Sequence, residues 1–193
     1  ELVEGHDLRI VHGKASRENQ HTPVFRDVMQ EVVFGPYWNV PKSIAVNEVL
    51  PRAQADWGYL SRNRYEIVSD FNPYNENTHR LSPENLRLVE QGRLFLRQKP
   101  GPSNALGHVK FLFPNKHDVY MHDTPRKALF AYPMRAYSHG CIRVQDPLEL
   151  AHYIVSRERP DWTRRRVRIN AASGSPTSVP LRDGPAVHIN YHT

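Results

Sequence analysis

The residues best suited to chemistry stand together at Tyr137-Ser138-His139-Gly140-Cys141-Ile142-Arg143-Val144. Cys141 is the only cysteine among 193 residues, so no intramolecular disulfide can form. A cysteine attacks as its thiolate, and a free pKa of about 8.5 must be lowered by a base or by positive surroundings. His139 and Arg143 lie two residues to either side, and His122 ends an apolar stretch upstream. Gly140, directly before the thiol, lets the backbone turn tightly and brings N–H groups close to a substrate oxygen. Cysteine, histidine, glycine and arginine packed this closely read as a nucleophile loop. The competing reading of a lone cysteine is a small buried hydrophobe.

Both ends of this pattern fall at element edges. Asp118 to His122 forms a short apolar strand that stops at His122-Asp123-Thr124-Pro125. After the loop, Asp146-Pro147-Leu148-Glu149 has the form of a capping box with proline at the first helical position. The helix it opens runs to about Arg157, with Leu148, Ala151, Ile154 and Val155 inward. Other strands are expected at Asp7–Val11, over Asp27–Phe34 with Val28, Val32 and Phe34 on one face, at Leu94–Arg97 and at Val109–Phe113. Val167–Ile169, Ser178–Leu181 and Ala186–Tyr191 complete the set. Between Tyr37 and about Lys99 the texture changes. Pro41, Pro51, Pro73 and Pro83 punctuate short helical pieces such as Ser43–Leu50 and Asp56–Leu60, and Ser82 precedes Pro83 as an N-cap. This stretch reads as an insertion or lid, with too few apolar residues for a core of its own. The expected architecture is mainly β, with one good helix after the nucleophile loop.

Composition narrows the class. Hydrophobic content of 39% and charged content of 24% describe an ordinary globular chain, one domain long. No run approaches the roughly 18 apolar residues of a membrane helix. Glu1 opens no signal-like stretch, so the sequence reads as a mature form or an excised core, and no targeting segment names a compartment. The net charge of +6 favours anionic partners. The densest basic run, Arg164-Arg165-Arg166, lies between Trp162 and Arg168 and reads as a solvated connection, not as a nucleic-acid patch. His108, His117, His152 and His188 read as surface residues.

Fifteen residues separate His122 from Ser138-His139-Gly140-Cys141. That pattern resembles the signature of the L,D-transpeptidase (YkuD-type) catalytic domain. Thr22-Pro23-Val24-Phe25, Trp38-Asn39-Val40-Pro41-Lys42-Ser43-Ile44 and Gly101-Pro102-Ser103-Asn104-Ala105-Leu106-Gly107 resemble its large, lid-bearing branch. So do Val109-Lys110-Phe111, Phe113-Pro114-Asn115, His122-Asp123-Thr124-Pro125 and Leu129-Phe130. The resemblance implies a β-sandwich carrying the cysteine loop on one sheet, with a capping insertion at about 37–99 inside a single catalytic domain. It implies a periplasmic, cell-envelope enzyme that acts on peptidoglycan stem peptides without a cofactor or metal and that carbapenems acylate. Cys141 would be the nucleophile and His122 the general base. Ser138, His139 and Gly140 would line the oxyanion and substrate pocket. Arg143 either holds a substrate carboxylate or pins the loop, and Asp123 has no settled role. Larger members carry a separate wall-binding domain, so a core cut from a longer chain is expected.

Three other readings compete. His122, His139 and Cys141 are ordinary zinc ligands, but they lack CxxC or HxxxH spacing and a fourth ligand. A basic wall- or nucleic-acid-binding module would leave the Ser-His-Gly-Cys loop unexplained. The same Cys-His site with water as acceptor would make an L,D-carboxypeptidase, and with a lipoprotein lysine an anchoring transferase.

Overall fold

The computed structural model describes residues 10–11, 22–72, 77–132 and 140–190. The chain begins with β1 (Ile10–Val11), β2 (Phe25–Val28), β3 (Glu31–Phe34) and β4 (Trp38–Asn39). A helical run follows: α1 (Lys42–Ile44), a π-helical turn (Ala45–Val49), α2 (Leu50–Ala55) and then α3 (Gly58–Arg62). Next come β5 (Tyr65–Val68), β6 (Thr78–His79), α4 (Pro83–Gln91), β7 (Phe95–Gln98), β8 (Val109–Leu112) and β9 (Met121–His122). A 3-10 turn (Lys127–Ala131), β10 (Ile142–Val144), α5 (Pro147–Glu158), α6 (Arg164–Ala172), β11 (Thr177–Pro180) and β12 (Ala186–Ile189) complete it. Two compact units result: Glu1–Pro36 together with Leu106–Thr193, and Tyr37–Ala105.

The first unit is built on a six-stranded sheet in the order β1-β10-β9-β8-β3-β11, with a second sheet of β12 and β2. Alternation divides the large sheet into two unlike faces. Val32, Phe34, Phe111, Met121, Ile142 and Val179 point into the core. There they meet Leu150 and Ile154 of α5, Val167 and Ala171 of α6, and Val187 and Ile189 of β12. Trp162 stacks on Phe34 with ring centroids 5.1 Å apart, and Phe25 of β2 lies 6.1 Å from Phe113. The opposite face carries Ser178, Val33, Lys110, His122 and Arg143 side by side, one from each successive strand. The fold is the expected mainly β sandwich, and chemistry-bearing side chains collect on one face of its large sheet.

Tyr37–Ala105 has a core of its own, contrary to the sequence reading. Val49, Leu60, Ile67, Leu86, Val89 and Leu96 are among its buried members. They come from elements too short to show a period alone, so only their convergence reveals them. Pro51 does not punctuate the helix there. The π-helical turn lets the Leu50 N–H reach the Ala45 carbonyl, and the chain continues into α2 with Pro51 in its first turn. Ser82 caps α4 as expected, accepting the Asn85 N–H at 3.2 Å. Across the sheet of this unit Arg97 and Glu66, both buried, pair at 2.7 Å.

Three further expectations change. Asp27–Phe34 is two strands in different sheets, and Val28 is exposed while Val32 is buried. The break falls at Met29 and Gln30, whose N–H groups donate to Pro185 and Leu112. Arg164 to Ile169 is helical, not a connection and a strand: Thr163 accepts the Arg166 N–H as N-cap, and Val167 and Ala171 face the core one turn apart. The Arg-Val-Arg-Ile alternation was too short to separate the two periods. At Asp146 the helix starts where expected, but the side chain makes no capping bond.

Candidate active site

Two very short strands set the site. β10 runs parallel to β9, with Ile142 opposite Met121 and Arg143 opposite His122. One step earlier the Ile142 N–H donates to the Tyr120 carbonyl at 3.0 Å. Since side chains alternate, Met121 and Ile142 enter the core, while Tyr120, His122, Cys141 and Arg143 share the other face. Cys141 and His122 therefore start from diagonal positions on neighbouring strands.

The His122 ring is buried, and its Nδ1 bonds the backbone carbonyl of Asp123. A carbonyl accepts only, so Nδ1 carries the proton and Nε2 is left as the basic nitrogen. Burial pushes the imidazole pKa down to about 4, the Arg143 and Lys127 charges adding to the effect and the Asp123 bond opposing it. The ring is neutral at physiological pH.

Burial also pushes the Cys141 thiol up, against the backbone N–H and the hydroxyl of Tyr120, which both stabilise the sulfur as an anion. The Sγ–H donates to the Asp118 carbonyl at 3.9 Å. Asp118 has φ +53°, a left-handed conformation uncommon for a residue with a side chain. Asn115 holds the turn around it, donating to the Phe113 and Val119 carbonyls at 2.7 Å each and accepting the His117 and Val119 N–H groups. Gly140 has φ +116° with no side chain closer than Val119 at 3.9 Å from its hypothetical Cβ. Glycine is required there for conformation, not for room. Its carbonyl accepts the Thr22 hydroxyl at 2.9 Å. Both groups are neutral at rest, the thiol pushed up and the imidazole pushed down by desolvation.

Of the sequence candidates, His122, Gly140, Cys141 and Arg143 converge here, while Ser138 and His139 lie outside the described residues. Burial and the nearby Arg126 charge hold the Arg143 guanidinium below its ordinary pKa. Among the described residues no three His, Cys, Asp or Glu side chains are grouped to hold a metal ion, and no helix is long and apolar enough to cross a membrane.

The L,D-transpeptidase catalytic domain family YkuD matches residues 3–178, nearly the whole chain. The chain belongs to that family. A Haemophilus influenzae protein named "Putative L,D-transpeptidase" is 32% identical over 190 residues, 97% of this chain. The chain spans 36% of that relative's length.

Within this L,D-transpeptidase domain, the sequence left three site residues unread. Tyr120 bonds the thiol, and its ring centroid lies 5.8 Å from that of His122. Lys110 stands directly across from His122 on β8, and burial depresses its ammonium pKa. His108 is not a free surface residue: its Nδ1 lies 3.2 Å from the Ala171 carbonyl, and its N–H donates to the Asp123 carboxylate at 2.8 Å. Strand register is the signal that finds Lys110, and alternation two residues before His122 the one that finds Tyr120.

The buried imidazole makes stability depend on acid in a defined window. Above about pH 6.5 it is neutral whether the chain is folded or not, so it adds no slope. Between about 6.5 and about 4 the unfolded chain takes up a proton that the folded one refuses, and stability falls as pH falls. The expected loss is about 3 kcal/mol across that window. Urea unfolding of wild type and His122→Gln at several pH values measures it. Identical slopes for the two proteins would show that His122 is not held neutral.

Tyr120→Phe keeps the ring and removes the hydroxyl. With one donor fewer on the sulfur, the thiol should ionise at higher pH, and alkylation of Cys141 by iodoacetamide near neutral pH should slow about 10-fold. An unchanged pH–rate profile would mean that the hydroxyl does not support the anion.

Proposed function

We propose that this domain is a cysteine-dependent L,D-transpeptidase of the cell envelope, acting on peptidoglycan tetrapeptide stems and forming 3→3 cross-links. The observation that carries the reading is His122 on the same sheet face as Cys141, with Nδ1 occupied by the Asp123 carbonyl and Nε2 left to take a proton. In this mechanism the Cys141 sulfur attacks the carbonyl of the third stem residue while His122 Nε2 removes the thiol proton. The oxyanion that forms is assigned to the backbone of the Gly140–Cys141 turn. Collapse breaks the peptide bond to the terminal D-Ala, whose amine takes the proton from His122, and leaves a Cys141 thioester. The side-chain amine of a second stem attacks the thioester, giving up its proton to His122. Collapse expels the sulfur and restores the thiol.

Charge supports the substrate class. Lys110, Arg126 and Arg143 bring positive charge to this end of the sheet, and stem peptides are rich in carboxylates. Elsewhere the cations are spent locally: Arg164 pairs with Glu149 at 2.8 Å, and Arg166 pairs with Asp161 and covers the Trp162 ring at 4.6 Å. That use favours a shaped peptide site over a nucleic-acid surface.

Mixed with a carbapenem, the protein should gain one drug mass, as the strained ring opens and its carbonyl transfers to Cys141. Cys141→Ala should gain none. His122→Ala should acylate about 10²–10⁴-fold more slowly, recovering only as pH approaches that of unassisted thiol ionisation. With disaccharide-tetrapeptide the products, resolved by mass spectrometry, should be 3→3 dimers and free D-Ala. Tripeptide alone would replace transfer by hydrolysis, and an adduct on Cys141→Ala would remove the assignment.

The unit Tyr37–Ala105 is assigned the part of the capping insertion. Acylation of Cys141 should then slow hydrogen exchange within this unit. Exchange that is the same before and after acylation would take that part away.

A further inference from the structure

The side chain of Asp123 is as deeply placed as the imidazole before it, with 3% of the residue exposed. Its Oδ2 accepts the His108 backbone N–H at 2.8 Å and its Oδ1 the Thr124 N–H at 2.6 Å. Lys127 Nζ lies 2.6 Å from Oδ1. The same ammonium donates to the carbonyls of Gln145 at 2.6 Å and Val144 at 3.3 Å. One carboxylate and one ammonium thus join the start of β8, the end of β9 and the end of β10. Gly107, at φ +60°, leaves the space that the carboxylate fills, since a Cβ there would overlap it. The Asp123 N–H is also committed, to the Val109 carbonyl at 2.9 Å. With its amide and both carboxylate oxygens fixed, the residue has no freedom left at its own carbonyl, which is the group that holds His122 Nδ1. An ion pair with one partner buried and the other half exposed is a poor way to gain stability, since desolvating the carboxylate offsets much of the attraction. A pair that spans three strands beside the imidazole has a second use.

We propose that Asp123 and Lys127 form a positioning clamp for the general base. The clamp fixes the Asp123 carbonyl, and through it the His122 tautomer and ring direction, and it sets the spacing of β9 from β10, the strand that follows Cys141. The proposal rests on His122 acting as the base. Asp123 and Lys127 act through the backbone and touch neither thiol nor substrate.

The test compares Asp123→Asn and Lys127→Met in the whole chain. Asparagine keeps the shape but turns an NH₂ group toward one of the two N–H donors; methionine keeps the length without the charge. The charged and titratable groups around the imidazole are Asp123, Lys127, Arg143, Lys110 on the facing strand, Tyr120 and Cys141. If Asp123 and Lys127 acted on His122 by charge alone, the two variants would move the acid limb of Cys141 acylation in opposite directions, because Asp123 raises and Lys127 lowers the imidazole pKa. As a clamp they act in one direction. Both variants should weaken the exchange-protected ring N–H signal of His122 in proton NMR, identified by its loss in His122→Gln. Both should also lower the maximal acylation rate, by about 10- to 100-fold for Asp123→Asn, with the half-saturating carbapenem concentration unchanged. A retained ring signal with a wild-type rate, opposite shifts at an unchanged maximal rate, or a rate loss equal to the unfolded fraction would each overturn the clamp. If Asp123→Asn fails to fold, Lys127→Met, altering the half-exposed partner, decides. Should the wild type show no acylation at all, the ring N–H readout still judges the clamp while the functional reading falls by itself.

Discussion

The structure depends on one parallel pairing, two residues of β9 against the first two of β10. The antiparallel β3–β8 and β3–β11 pairs run four residues each, and there a slip of one residue would be resisted by whole strands. Here so few ladder bonds exist that register must come from elsewhere. Met121 and Ile142, both buried in the core, fix which side chains turn inward, and the other face receives His122 and Cys141 as a consequence. A shift by one would send the imidazole into the hydrocarbon core and Met121 toward the substrate. The helices α5 and α6 contribute to the chemistry only by covering the apolar face firmly enough to exclude that alternative.

Electrostatics then follows from placement. The imidazole is buried, with cations nearby, and therefore neutral, and desolvation keeps the half-buried thiol protonated against the Tyr120 donors that favour its anion. A preformed thiolate–imidazolium pair would require the low-dielectric site to carry two charges at rest. The donors that would support an anionic sulfur, the Tyr120 N–H and hydroxyl, already point at it. The left-handed Asp118 and the Asn115 side chain keep the turn beneath the sulfur in place, so the local strain sits beside the reacting atom.

The parts of the site that are legible in sequence are those whose spacing is local. Gly140 next to Cys141 announces a tight turn, and the interval from His122 to Ser138 carries the family signature. Lys110 is invisible because cross-strand register, not spacing, brings it to His122, and the Asp123–Lys127 pair because a four-residue interval outside a helix carries no signal of contact. The fold shows the same division. The α4 start was readable because Ser82 caps over three residues, and the α5 start because Pro147 suits the first helical position. The core of Tyr37–Ala105 was not, since it assembles from elements of two to nine residues that carry no period alone. α6 was misread because Arg168 and Ile169 continue an apparent alternation, and only the distant Phe34, with Trp162 stacked on it, shows which face is inside.

Keeping Cys141 as a protonated thiol also bears on how long it lasts. Peroxide and disulfides react with sulfur in its anionic form, and the steps to sulfenic and sulfinic acid begin there. A nucleophile that is ionised at rest is consumed by any passing oxidant, and a chain with one cysteine has no second thiol to rescue it by forming a disulfide. A half-buried sulfur held as the neutral thiol spends little time in the vulnerable state. The desolvation that holds the thiol protonated is therefore also a form of chemical durability.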